Sequence, residues 1–240
     1  MKVLSLKTEN YRNLAAKEYF PGGGVNIICG ENGLGKTNLI ESIWLFTGCR
    51  SFRSVRDKDV VRFDCDEAKL KMEFFSGNRN KEAEIRIDDK RHITLNGIAL
   101  PSGRKMMGEF TAVVFTPLHL SIVKEGPEER RKFIDIAISQ LRPNYAKTLL
   151  EYTKALAQRN ATLRAARDNP AMLAMLDIWD MELAKKGAVI IDSRIAYLDA
   201  LKEHACTAYD EISSGKETLG LTYKEYARDK ARGKKGRQRH

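Results

Sequence analysis

Residues Gly30 to Thr37 read Gly-Glu-Asn-Gly-Leu-Gly-Lys-Thr, which fits a phosphate loop: Gly, four variable residues, Gly, Lys, then Ser or Thr. The pattern constrains the fold because it is convincing between a buried strand and a helix. Val25 to Cys29 supplies a short β-branched run, and Asn38 to Phe46 places Leu39, Ile40, Ile43 and Phe46 at helical spacing. Pro21 and Gly22 to Gly24 mark a turn before the expected strand. A triphosphate is held by main-chain N–H groups, so glycines are needed where the backbone wraps the oxygens. The following helix start offers unpaired N–H groups and a favourable dipole to an anion. On this reading Gly30, Glu31, Asn32, Gly33, Leu34, Gly35, Lys36 and Thr37 form the ATP cradle, with Lys36 on the outer phosphates and the Thr37 hydroxyl on magnesium. The alternative is a glycine-rich turn that binds nothing.

The chain has 240 residues, enough for one large domain or two modest ones. Its net charge of +10, from 42 basic against 32 acidic residues, is compatible with nucleic acid or an anionic surface as partner. An excess of surface lysine with no partner would give the same figure. Cys29, Cys49, Cys65 and Cys206 are scattered and lack histidine partners, which argues against zinc and against a disulfide framework. With neither a signal peptide nor an apolar run long enough to span a bilayer, the expectation is a cytoplasmic chain with no membrane partner.

Val3, Leu4 and Leu6 predict a first strand, with Ala15 to Phe20 pairing back across Asn10 to Asn13. A connecting loop is expected over Thr47 to Arg56. From Leu70 to Leu100 the apolar period is two, and Gly77-Asn78, Asp88-Asp89 and Asn96-Gly97 punctuate it, which predicts an antiparallel meander. Thr111 to Phe115 reads as another buried strand. After Gly126 helices dominate: one stopped by Arg142-Pro143, one ended near Asp168-Asn169-Pro170, and one from Leu176 to Ile212 broken at Ser213 to Gly215. Glu217 to Tyr223 is expected as a short strand. The basic end from Arg228 to His240 cannot bury a core. The fold class is α/β, with an antiparallel meander and a helical lobe: an ATP-binding lobe over 1–125, a helical lobe over 126–214, and a short strand with basic tail over 215–240.

Several blocks along the chain resemble the RecF family of bacterial DNA replication and repair proteins, which are ATPases with an ABC-type head. They are Asn10 to Asn13, Gly30 to Asn38, Gly48 to Arg53, Val113 to Pro117, Gly126 to Asp135, Arg142 to Tyr145, Gln158 to Asn160 and Leu176 to Asp180. Together they reach from the start of the chain to about Arg194. The resemblance implies ATP-dependent binding to duplex DNA near single-strand gaps, an ATP-dependent homodimer, and cooperation with RecR and RecO. It also implies that Arg12 and Asn32 lie near the nucleotide.

The sequence departs from that family pattern in specific places. No Ser-Gly-Gly-Gln-like signature is present. Ala188 to Asp192 imitates a Walker B strand but lies inside a helical period, with Ser193-Arg194 in place of a catalytic acid, so it reads as helix core. Leu118-His119 stands where the family has acids. Hydrolysis needs groups that orient water and stabilise the transition state, and no catalytic residue is identifiable. The alternative function is therefore a non-hydrolysing module that binds nucleotide, DNA or a partner; a small-molecule kinase fits the basic charge and helical lobe less well.

Arg50, Arg53 and Arg56 follow the nucleotide helix and could contact DNA phosphates. Arg130-Arg131-Lys132 reads either as a phosphate-contacting or dimer-facing patch, or as a solvated helix start behind Glu128-Glu129. Lys230, Arg232, Lys234, Lys235, Arg237 and Arg239 would add nonspecific affinity, or nothing.

Overall fold

The computed structural model describes residues 1–53 and 56–224, so the basic end from Arg228 lies outside the described residues. Two compact units divide the chain, Met1–Lys147 and Thr148–His240.

The first unit is built on six antiparallel strands. They are β1 (Lys2–Glu9), β2 (Lys17–Tyr19), β3 (Ala68–Ser76), β4 (Arg79–Ile87), β5 (Arg91–Leu95) and β6 (Ile98–Leu100), in the order β2-β1-β3-β4-β5-β6. Alternation along the strands decides the register. Leu6 faces Met72, Leu70 faces Ile85, and Met72 also faces Ala83, so one side is apolar and fully buried. The intervening residues carry charge, as in the 2.9 Å ion pair between Lys71 and Glu82. Asn78 and Asn96 both take positive φ, 61° and 49°, beside Gly77 and Gly97, as tight hairpin turns twisted with the strands require.

The apolar side is covered by helix α1 (Lys36–Leu45), through Leu45 and the next residue Phe46, together with Tyr11, Leu14, Val60, Met106 and Phe110. Fully burying one such aliphatic or aromatic side chain is worth about 1.5–3 kcal/mol. The buried side of α1 differs from the expected stripe. Ile40 is exposed, whereas Glu41, Ser42 and Trp44 are buried, because Glu41 has a cationic partner waiting inside.

Helices α2 (Ser121–Lys124) and α3 (Pro127–Leu141) complete this unit, followed by the start of α4 (Pro143–Ala165). The first unit thus runs through α3 to Lys147. Gln140 accepts a 2.9 Å hydrogen bond from the Ala112 N–H, and Pro143 packs on Gly108, which ties α3 to the sheet lobe. In the second unit α5 (Leu176–Ser213) runs antiparallel to α4: Lys186 pairs with Glu151 at 2.7 Å and Asp180 with Arg159 at 2.5 Å. Ala188 to Asp192 lies within α5, as helical spacing predicts.

Three expected strands are absent from the structure. Val25 to Cys29 and Thr111 to Phe115 belong to no sheet, and neither does Glu217 to Tyr223. The first two have the apolar, β-branched composition of central strands but no neighbour to pair with. Among the described residues no helix is long and apolar enough to cross a membrane.

Candidate nucleotide site

The phosphate loop is exposed and leads into α1 as its sequence predicts. Gly30, Gly33 and Gly35 take φ values of 148°, 86° and 93°, a region that side chains with a Cβ enter at a cost. The first hydrogen bond of α1 runs from the Leu39 N–H to the Gly35 carbonyl at 2.9 Å. Lys36, Thr37 and Asn38 therefore begin the helix with main-chain N–H groups that no helix carbonyl accepts. Lys36 arches back over the loop and donates from Nζ to the carbonyls of Gly30 and Glu31, both at 2.7 Å. An ammonium spanning its own loop is placed to exchange carbonyl partners for phosphate oxygens.

A corner after β1 props the loop from behind. Asn13 donates to the Gly33 carbonyl and accepts from Asn38 Nδ2 at 2.6 Å. Leu14 and Asn13 press so closely on Gly35 that a Cβ there would lie 2.7 Å from Leu14 Cδ2 and 2.8 Å from Asn13 Oδ1. Arg53 joins the same chain, donating to Asn38 Oδ1 at 2.6 Å. Asn13 and Asn38 are contributors that the motif pattern misses. Their signal in the sequence is the pairing of polar amides at a turn and at a helix start, legible only once the two are known to meet.

Beneath the corner lies a buried ion pair. Arg12 has positive φ, 48°, and its guanidinium engages both carboxylate oxygens of Glu41, at 2.5 Å from Nε and 2.9 Å from Nη2. It also donates to the Asp59 carbonyl at 3.3 Å, and Ser51 Oγ donates to Glu41 at 2.5 Å. Burial alone would raise the Glu41 carboxyl, but the hydrogen bonds from Arg12 and Ser51 and the charge of Arg12 outweigh it and hold the group below its ordinary value. Burial likewise opposes the Arg12 charge, and Glu41 more than restores it. Burial first, and then the Glu41 charge, push the Tyr11 hydroxyl up. Arg12 thus braces α1 and the loop from the protein side, one helical turn past Thr37.

The remaining basic candidates separate by their partners. Arg56 is paired with Asp59 at 2.9 Å, and Arg130 caps the carbonyls of Ile122 and Glu125 at 3.2 and 3.1 Å. Arg50 and Arg131 are exposed. No group of three or more His, Cys, Asp or Glu side chains that could hold a metal occurs among the described residues. A magnesium ion here would be shared between the nucleotide phosphates and the exposed Thr37, a donor set suited to a cation that keeps several waters.

A strand-less glycine loop, a helix start with free N–H groups and a lysine arched over both define a nucleoside-triphosphate-binding head. The chain belongs to the AAA ATPase domain family, whose model matches residues 1–226. Within it, the chain is similar to the DNA replication and repair protein RecF of Ruminiclostridium cellulolyticum, 35% identical over 93% of this chain and 61% of that relative. The Clostridium acetobutylicum RecF is 37% identical over the same shares. A solved structure of the recombination mediator protein RecF with ATP, in the RecFOR pathway, matches at a TM-score of 0.86 and 35% identity over 92% of this chain and 60% of that one. The chain spans about three fifths of the length of the curated relatives it matches.

Proposed function

We propose that the chain is a RecF-type ATPase head of DNA replication and recombinational repair in the cytoplasm, which binds ATP with magnesium at Gly30 to Thr37 and engages duplex or gapped DNA. The observation that carries this reading is Lys36, with Nζ 2.7 Å from two carbonyls of a loop whose glycines all have positive φ. The net charge of +10 and the exposed Arg50 and Arg131 support a phosphate-backbone contact, and Arg53 at the loop mouth would join it when nucleotide is bound. The likeness to RecF supports extending the proposal to ATP-dependent homodimerisation and to RecR- and RecO-like partners.

A second reading is favoured by the helical setting of Ala188 to Asp192: the chain binds nucleotide, DNA or a partner without turning nucleotide over, because among the described residues no catalytic acid follows an apolar strand. A fluorescent-ATP titration with Lys36→Ala, followed by DNA anisotropy with and without ATP at two salt concentrations, tests the proposal. Loss of nucleotide binding and of the ATP-stimulated part of DNA binding is expected. A variant indistinguishable from the parent overturns it. Phosphate release measured on the same samples decides between the two readings.

A further inference from the structure

Helix α5 has two contrasting sides. Lys186, Gly187 and Ile190 lie on the side that meets α4: Lys186 pairs with Glu151 at 2.7 Å, Gly187 lies against Tyr152, and Ile190 is buried. The opposite side carries Ile178, Met181, Lys185, Ala188 and Asp192, all exposed. They are spaced by three and four residues in turn, which is the spacing of a seam between two helices. Ile178 and Met181 are 53% and 67% exposed, and Val189, which borders the seam, is 48% exposed. Neither the Lys185 ammonium nor the Asp192 carboxylate has a partner among the described residues. The stretch that imitates a Walker B strand, Ala188 to Asp192, thus shows an apolar residue and a spare acid on a helix surface.

We infer that this side of α5 is a self-association surface, on which a second copy of the chain packs its own α5 antiparallel, independently of nucleotide. The order of the charges selects that occupant. Two copies related by a two-fold axis between positions 188 and 189 set Lys185 of each opposite Asp192 of the other, Ala188 opposite Val189, and Met181 opposite Ala196. Both ion pairs then flank an apolar centre, and the alanines let the two backbones approach. A parallel pair would instead set Lys185 against Lys185 and Asp192 against Asp192, which repel. Lys185 and Asp192 are seven residues apart, about 10 Å along the axis, so the charges also fix the register of the two helices.

Sedimentation of the full chain without nucleotide, at concentrations up to about 100 μM, is expected to show a dimer, as befits a small interface. Lys36→Ala should form the same dimer, so a chain that fails to bind nucleotide can pass this test. Lys185→Asp and Asp192→Lys each place like charges at both pairings and should weaken association about tenfold or more while the thermal melt stays unchanged. Mixed one to one, the two variants regain opposite charges at both pairings and should associate as tightly as the parent. The chain carrying both substitutions should do the same with itself. A parent that stays monomeric, a dimer that forms only with ATP, or single variants that associate like the parent overturn the inference. It also falls if the mixture and the doubly substituted chain fail to recover, because the face would then serve some other occupant.

Discussion

Arg12 and Glu41 form a two-point ion pair in which the Glu41 side chain is wholly buried and the Arg12 side chain is 17% exposed. Removing one member strands the other's charge, and the two members are not equivalent. Arg12→Ala leaves a buried carboxylate that keeps the Ser51 hydroxyl as a donor but no cation, and is expected to cost about 3–5 kcal/mol in chemical denaturation. Glu41→Ala should cost less, because Arg12 retains the Asp59 carbonyl and a path to solvent. Equal costs would contradict this asymmetry.

The same pair sets an acid limit. Glu41 has a folded-state value below its ordinary one, so between those values the unfolded chain binds more protons than the folded chain and stability rises with pH. Its contribution is complete above an ordinary glutamate value of about 4.3 and is lost as pH falls through the lower folded value. Glu41→Gln should flatten that part of a stability-against-pH curve. An unchanged slope in the variant would remove Glu41 from the account.

Gly35→Ala tests the prop behind the loop. The new methyl meets Leu14 and Asn13 at under 3 Å, at a φ of 93°. Such strain costs on the order of 1–3 kcal/mol. Because the displaced groups hold Gly33, nucleotide affinity should fall with stability. Calorimetric titration beside a melting curve reads both, and a variant with parental affinity would show that the Asn13 corner does not shape the loop.

Arg50 and Arg53 should part company in kinetics and salt response. Arg53 donates to Asn38 at the start of α1, so Arg53→Ala is expected to weaken ATP binding by about fivefold, the worth of roughly one hydrogen bond. Arg50→Ala should leave ATP binding alone and reduce the log–log salt slope of DNA binding by about 0.9, the loss of one phosphate contact. If the two variants behave alike, the geometric distinction between them carries no functional meaning.

What was legible in the sequence is what local physics decides. The meander follows from period-two alternation and from Asn78 and Asn96 at turns that demand positive φ. The long helices end where Pro143 and the Ser214-Gly215 pair, at φ 53° and 72°, stop them. The phosphate loop is likewise local. Pairing across the chain is not: Val25 to Cys29 has strand composition but lacks a neighbour, so composition alone overstates it. Nothing beside Arg12 in sequence shows that Glu41, 29 positions away, will neutralise it. Composition is silent in the same way on the Gln140 bond to Ala112, which joins α3 to a segment 28 positions earlier.

At 38 residues, α5 extends about 57 Å, and Ile190 is its one fully buried residue among those described. A helix this long and this lightly embedded behaves as a measuring rod more than as a core element. Spacing between groups at its two ends is dictated by the helical rise. Inserting or deleting residues along it would therefore shift one end in steps of about 1.5 Å and turn it by about 100° each time, changing both the reach and the heading of whatever the far end carries.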